Sequence, residues 1–220
     1  MIETIIVDKY RETFKTWNKL AMLYQDKFMA LDLYNDTYDK FLSLVKKQQG
    51  LNIIDLGCGP GNICKYLLTK NPELQITAID ASSNMIELAQ KNNPSAQFLT
   101  MDIREILRLK KEYDGIICGF CMPYLSESDS INLIAHCKNL LKKTGVLYLS
   151  FVEGEYKQSG YQVSSNDDKM YFYYHPLDLL QETLNENSFK TEHLIHKHYI
   201  KADQTEEIHT IIIVSKISDN

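Results

Sequence analysis

Ile53-Ile54-Asp55-Leu56-Gly57-Cys58-Gly59-Pro60-Gly61-Asn62 starts as a β-branched apolar run, reaches an acid and passes directly into glycines at three alternate positions. The run has the length and composition of a buried strand, and the glycines give the following turn a backbone that a ligand can approach closely. In open α/β sheets such turns lie at the carboxyl ends of strands, where ligands bind. Outward from this turn, short apolar runs alternate with amphipathic stretches, the pattern of repeated βα units around a mostly parallel, doubly wound sheet. Strands are expected at 51–56, 75–79, 97–99, 115–118 and 146–151, and helices at 60–69, 84–91, 103–107 and 127–141. Pro60 suits a first helical turn, Ser82 or Ser83 caps the next helix, and Ser126 with Asp129 resembles a capping box. Lys142 and Lys143 followed by Gly145 mark the end of the fourth of these helices.

Upstream, 10–28 and 34–45 read as two amphipathic helices that cap the sheet. Beyond Phe151 the rhythm changes: Gly154, Gly160 and the polar turn Asn166-Asp167-Asp168 frame an inserted hairpin or lid. A helix from Pro176 presents Leu177, Leu180 and Leu184 on one face. Strands near 192–199 and 208–214 then close the sheet as an antiparallel pair. The chain therefore reads as a single domain with a helical cap at 1–50, a ligand-binding core at 51–151, an insert at 152–175 and a closing helix and strands at 176–220.

With 29 acids against 24 bases the net charge is −5, which disfavours a polyanionic partner, so no nucleic acid is expected. The basic cluster Arg108, Lys110 and Lys111 suits a solvated helix end. No apolar stretch approaches the ~20 residues of a membrane span, so no membrane association is expected. The start Met1-Ile2-Glu3-Thr4 lacks the cationic, then apolar, pattern of an export signal, and the five cysteines read as reduced thiols. Both features point to the cytoplasm. Cys118 and Cys121 form a C-x-x-C pair, but zinc asks for about four ligands and no second pair accompanies it. His193, His196 and His198 fall on both faces of a strand. No metal is expected.

The glycine stretch resembles motif I of the class I S-adenosylmethionine-dependent methyltransferases of small-molecule type. The resemblance implies an α/β Rossmann-like sheet of order 3-2-1-4-5-7-6 with one antiparallel strand, and S-adenosylmethionine as cofactor. It gives Gly57, Cys58, Gly59 and Gly61 the turn around the methionine part, and Asp55 its amino group. An acid ends the next strand in Gln75-Ile-Thr-Ala-Ile-Asp80, which implies that Asp80 accepts both ribose hydroxyls. Ala81 opens the turn after it, and Met85 packs on the adenine. Met101-Asp102-Ile103 is similar to the family's adenine-reading segment, with Asp102 accepting and the Ile103 amide donating. Gly119 and Phe120 end the strand that faces the methyl group. Tyr24, in an A-x-x-Y segment, corresponds to the cap-helix tyrosine that touches the cofactor, against a reading as core packing.

The stretch Cys121-Met122-Pro123-Tyr124 is similar to the N-P-P-Y loop of amino-directed methyltransferases, yet Cys121 lacks the amide oxygen that loop uses. In-line methyl transfer depends mainly on orientation and exclusion of water. Where the acceptor must lose a proton, Tyr124, His175 or Asp26 are the candidate bases. The aromatic group Tyr156, Tyr161, Tyr171, Phe172, Tyr173 and Tyr174 is a candidate acceptor wall. Two rival readings are a NAD-dependent oxidoreductase, which would want a glycine where Asn62 stands, and a non-catalytic S-adenosylmethionine-binding module. The acceptor, the atom methylated and the oligomeric state are not written in the sequence.

Overall fold

The computed structural model describes residues 8–45, 50–163, 167–201 and 203–217. Met1 to Thr4, and Asn166 of the expected polar turn, lie outside the described residues. Strands β1 (Asn52–Leu56), β2 (Gln75–Asp80), β3 (Gln97–Thr100), β4 (Tyr113–Cys118) and β5 (Leu141–Val152) form the parallel part of one sheet. A separate hairpin pairs β6 (Gly160–Val163) with β7 (Lys169–Phe172). Strands β8 (Phe189–Ile200) and β9 (Glu206–Lys216) complete a seven-stranded sheet of order β3-β2-β1-β4-β5-β9-β8, in which β9 runs antiparallel to both neighbours. This is the implied order, with the hairpin occupying two numbers.

Helices cover both faces because successive strand residues point to opposite sides. Ile54, Ile116, Leu147 and Leu149 join a core with Leu133 and Ile134 of α5 (Glu127–Leu140) and Leu180 and Leu184 of α6 (Leu177–Glu186). Ile53, Ile117, Tyr148 and Ile213 join the other core, with Phe41 of α2 (Asn35–Leu44), Leu67 of α3 (Asn62–Lys70) and Ile86 of α4 (Ser83–Asn92). The first helix, α1 (Lys9–Phe28), crosses the carboxyl end of the sheet. Asn18 tethers it to the start of α4, its side-chain oxygen accepting from the Ser82 hydroxyl at 2.9 Å and from Asn84 N at 3.0 Å. Thr13 accepts from Tyr171 N at 3.0 Å and so holds the hairpin.

Three expected boundaries are corrected. Helix α3 begins at Asn62, with Gly61 as its cap at φ 82°, so Pro60 belongs to the turn and not to a first helical turn. Helix α5 stops at Leu140, and Lys142, Lys143 and Gly145 lie in β5. There Lys142 Nζ contacts both oxygens of Asp114 at 2.8 and 2.9 Å and draws the segment onto β4. The capping box at Ser126 is half formed: its hydroxyl accepts from Asp129 N, but its own amide donates to the Tyr10 hydroxyl at 2.9 Å. Ser82 caps α4 as expected, accepting from Met85 N at 3.1 Å.

Phe41 is fully buried, lies edge-on to Tyr148 at 6.3 Å, and presses on β4 so closely that a Cβ on Gly115 would meet it at 2.6 Å. Phe41→Ala opens a cavity between α2 and the sheet and is expected to lower the unfolding free energy by about 3–5 kcal/mol in urea denaturation.

Candidate functional site

The site is built at the carboxyl ends of β1, β2 and β4. Gly57, Gly59 and Gly61 have φ of 67°, 53° and 82°, the left-handed region in which a side chain is strained. Gly57 and Gly61 are also closely packed against protein. A Cβ would fall 2.6 Å from Cys121 Cβ at the first and 2.4 Å from Asn93 Nδ2 at the second. At Gly59 a Cβ would meet only Tyr24 Cε1, at an ordinary contact distance of 3.5 Å.

Asp80 leans over the same turn. Its Oδ2 accepts from Gly59 N at 2.9 Å and its Oδ1 from Ser82 N at 2.8 Å. Burial pushes its carboxyl above the usual range, and the two amides oppose that push. Each oxygen keeps a second lone pair for a further donor. Beneath the turn Asp55 is fully buried; Oδ2 accepts from the Cys64 thiol at 3.3 Å, while Oδ1 has no partner. Burial, and secondarily the charge of Asp80, raises its pKa to about 7.

Two cavities meet here. The smaller, of about 90 Å³, is lined by Gly57, Gly59, Asp80, Ala81, Met85, Asp102, Ile103, Gly119 and Phe120 among others. The larger, of about 460 Å³, extends away from the glycine turn past Cys58, Phe120, Tyr124 and Tyr34 to the ends of β8 and β9. Trp17, Tyr24, Gly57, Gly119, Phe120 and Tyr124 border both. Trp17 joins the two tyrosines as a T-shaped aromatic series, 5.4 Å from each. Burial raises the Tyr24 and Tyr124 hydroxyls well above the usual tyrosine range. Phe120 has φ 56°, rare for a large side chain and a mark of strain held in place by its surroundings; its amide donates to Ser150 Oγ at 2.8 Å.

Of the residues singled out in the sequence, Asp55 and Gly61 line neither cavity but support the turn that does. Asp102 lines the smaller one while its carboxylate also receives the Arg104 guanidinium, with Nε–O distances of 3.0 and 3.1 Å. Asp26 is exposed on α1 and borders neither cavity. His175 is also absent from both linings. It is fully buried, its Nε2 lies 2.8 Å from the Met122 carbonyl, and burial depresses its pKa. From the aromatic group, Phe172 reaches the larger cavity. Sequence reasoning missed Trp17 as a wall, together with Tyr34, Tyr199, Lys201, Glu207 and His209, all of which line the larger cavity. Their only sequence signal was the presence of polar residues at the ends of closing strands. Among the described residues no group of three His, Cys, Asp or Glu is placed to hold a metal ion, and no helix is long and apolar enough to cross a membrane.

The sheet has the strand order that the resemblance to class I methyltransferases implies, and the acid ending β2 is tied to the glycine turn. Residues 53–145 match the family model described as a methyltransferase domain. A malonyl-[acyl-carrier protein] O-methyltransferase of Halalkalibacterium halodurans is 33% identical over 47% of this chain and 40% of its own length. A demethylmenaquinone methyltransferase of Thermotoga maritima is 23% identical over 63% of this chain and 61% of its own. The chain thus spans about half the length of the curated relatives it matches. Among solved structures, the 1,6-didemethyltoxoflavin-N1-methyltransferase of Burkholderia thailandensis, with bound 1,6-didemethyltoxoflavin and S-adenosylhomocysteine, superposes with a TM-score of 0.68. It is 15% identical, covering 95% of this chain and 87% of the other.

An acid whose pKa is raised on folding keeps a proton that the unfolded chain has lost. For Asp55, raised from 3.8 to about 7, the native state binds more protons across that interval, so this group's contribution to stability falls as pH rises through it. Asp55→Asn should flatten that fall by up to about 3 kcal/mol, read from denaturant unfolding at pH 4.5 and pH 8.

Proposed function

We propose that the chain transfers a methyl group from S-adenosylmethionine to an oxygen or nitrogen of a small molecule. The observation that carries this reading is the Asp80 carboxylate, hydrogen-bonded to Gly59 N at 2.9 Å, in the wall of a small cavity that shares a border with a larger one. The residues present fit the cofactor: Gly59 lines the smaller cavity, Asp80 has spare lone pairs for ribose hydroxyls, and Asp55 supports the turn from beneath. Met85 would pack on the adenine, and Asp102 and Ile103, in the same cavity wall, would take its polar edge. When bound, the sulfonium supplies an electrophilic methyl carbon. The protein's part is to orient the acceptor toward it and to exclude water, for which the aromatic border of Trp17, Tyr24, Phe120 and Tyr124 is suited.

The acceptor occupies the larger cavity, and the hairpin at 152–175, which contributes Gln162 and Phe172, acts as its lid. The chain works as one methyltransferase domain over 1–220, without a nucleic acid partner. It works in the cytoplasm, in keeping with its free buried cysteines.

S-adenosylhomocysteine is expected to raise the melting temperature and to bind in calorimetry, with NAD giving no shift. Asp80→Ala should weaken that binding by at least about tenfold, and unchanged affinity in this variant, or a preference for NAD, would refute the assignment.

A further inference from the structure

Beside Phe120 in the larger cavity, His209 of β9 is buried between aromatic rings. Tyr199 stacks on it at 4.9 Å and 13°, and Phe120 lies at 4.8 Å. Its Nδ1 is 2.7 Å from the Tyr34 hydroxyl. Its Nε2 is buried with no hydrogen-bond partner, and the nearest carboxylate oxygen, Glu207 Oε2, stands 3.6 Å away. All five side chains border the cavity. We propose that Tyr34, His209 and Glu207 form a proton relay that activates a phenolic hydroxyl on a planar aromatic acceptor, with Tyr34 as the catalytic residue that touches it. The proposal rests on the methyl-transfer reading above and assigns the acceptor class of that same site.

Burial holds the Tyr34 phenol protonated, so its O–H donates to His209 Nδ1 and its oxygen keeps lone pairs for an acceptor hydroxyl. Glu207 is held ionised, chiefly by His209 and then by Lys201, whose Nζ is 3.1 Å from Oε1. In the reaction the acceptor O–H proton moves to the Tyr34 oxygen as the Tyr34 proton moves to Nδ1. The acceptor oxygen takes the methyl carbon, and the C–S bond breaks with its electron pair left on sulfur. The imidazolium so formed directs its Nε2–H at Glu207 and lies against the Tyr199 face, both of which favour the cation, before its proton passes to solvent. An acceptor that is already a carboxylate needs no such relay and is repelled by Glu207. A planar ring suits walls made by Phe120, Phe172 and Tyr199. Among the described residues, the charged and titratable groups around the imidazole include Tyr34, Tyr199 and Glu207, with Lys201 and Tyr174 behind Glu207, and the cross-strand Lys197, which pairs with Asp36 at 2.7 Å.

The test uses 4-nitrophenol, whose ionised form has its own absorption band, added to the full chain with and without S-adenosylhomocysteine at a pH below the probe's solution pKa. The bound probe should show the phenolate band. Tyr34→Phe, which removes a single oxygen, and His209→Gln should bind it as the neutral phenol. Glu207→Gln should shift the midpoint of the band upward by about one pH unit. All three should keep S-adenosylhomocysteine affinity within about twofold. A neutral probe or no uptake in the unaltered chain, tighter uptake of benzoate than of 4-nitrophenol, or a phenolate band that survives Tyr34→Phe would overturn the relay. Loss of S-adenosylhomocysteine binding in the unaltered chain would instead overturn the methyl-transfer reading, while the titration without it still reads the relay.

Discussion

The hydrogen bond from the Gly59 amide to the Asp80 carboxylate fixes the geometry on which the rest of the site depends. It joins the turn after β1 to the end of β2, and the neighbouring bond from Cys58 N to the Ile79 carbonyl, at 2.9 Å, reinforces it along the backbone. A carboxylate buried in this way is costly unless ionic hydrogen bonds compensate, and the amides of Gly59 and Ser82 provide them. Because Ser82 in turn caps α4, and Gly61 caps α3, one side chain sets the position of two loops and the directions of two helices.

The parts of this arrangement that were legible in the sequence are those that local chemistry dictates. Three alternate glycines after an apolar run admit few conformations, and an acid at the end of the next strand has few places to point. Strand order followed from the resemblance, and the spacing of Asp80 and Asp102 from the turn agreed with it. Boundaries were less legible where two residues compete for one role. Pro60 and Gly61 both suit a helix start, and the left-handed φ of Gly61 gives it the cap. Gly145 looked like a helix terminator, but α5 ends at Leu140 and Leu141 already pairs with Tyr113 of β4, so Gly145 lies within β5.

The larger cavity was mostly illegible. Its wall is assembled from α1, the loop before α2, β8 and β9, segments as far as 175 positions apart in the Tyr34–His209 contact. Strand β9 lies between two neighbours and is buried on both faces over 209–214, so His209 sits in an unbroken buried run with no alternation to mark it. His175 shows the converse: a histidine after an aromatic run invites a functional reading, and the fold instead spends its ring nitrogen on a backbone carbonyl.

Trp17, Tyr24, Phe120 and Tyr124 each face two compartments at once. A change to any one of them reshapes both volumes, so affinity for a ligand in one compartment is not adjustable independently of the other through this partition. Paired substitutions within it should depart from additivity, since neighbouring rings relax together. Change in the shape of the larger space is therefore channelled toward positions that touch it alone, such as Leu31, Gln162 and Phe172, where a new contour can be tried without disturbing the Asp80 end.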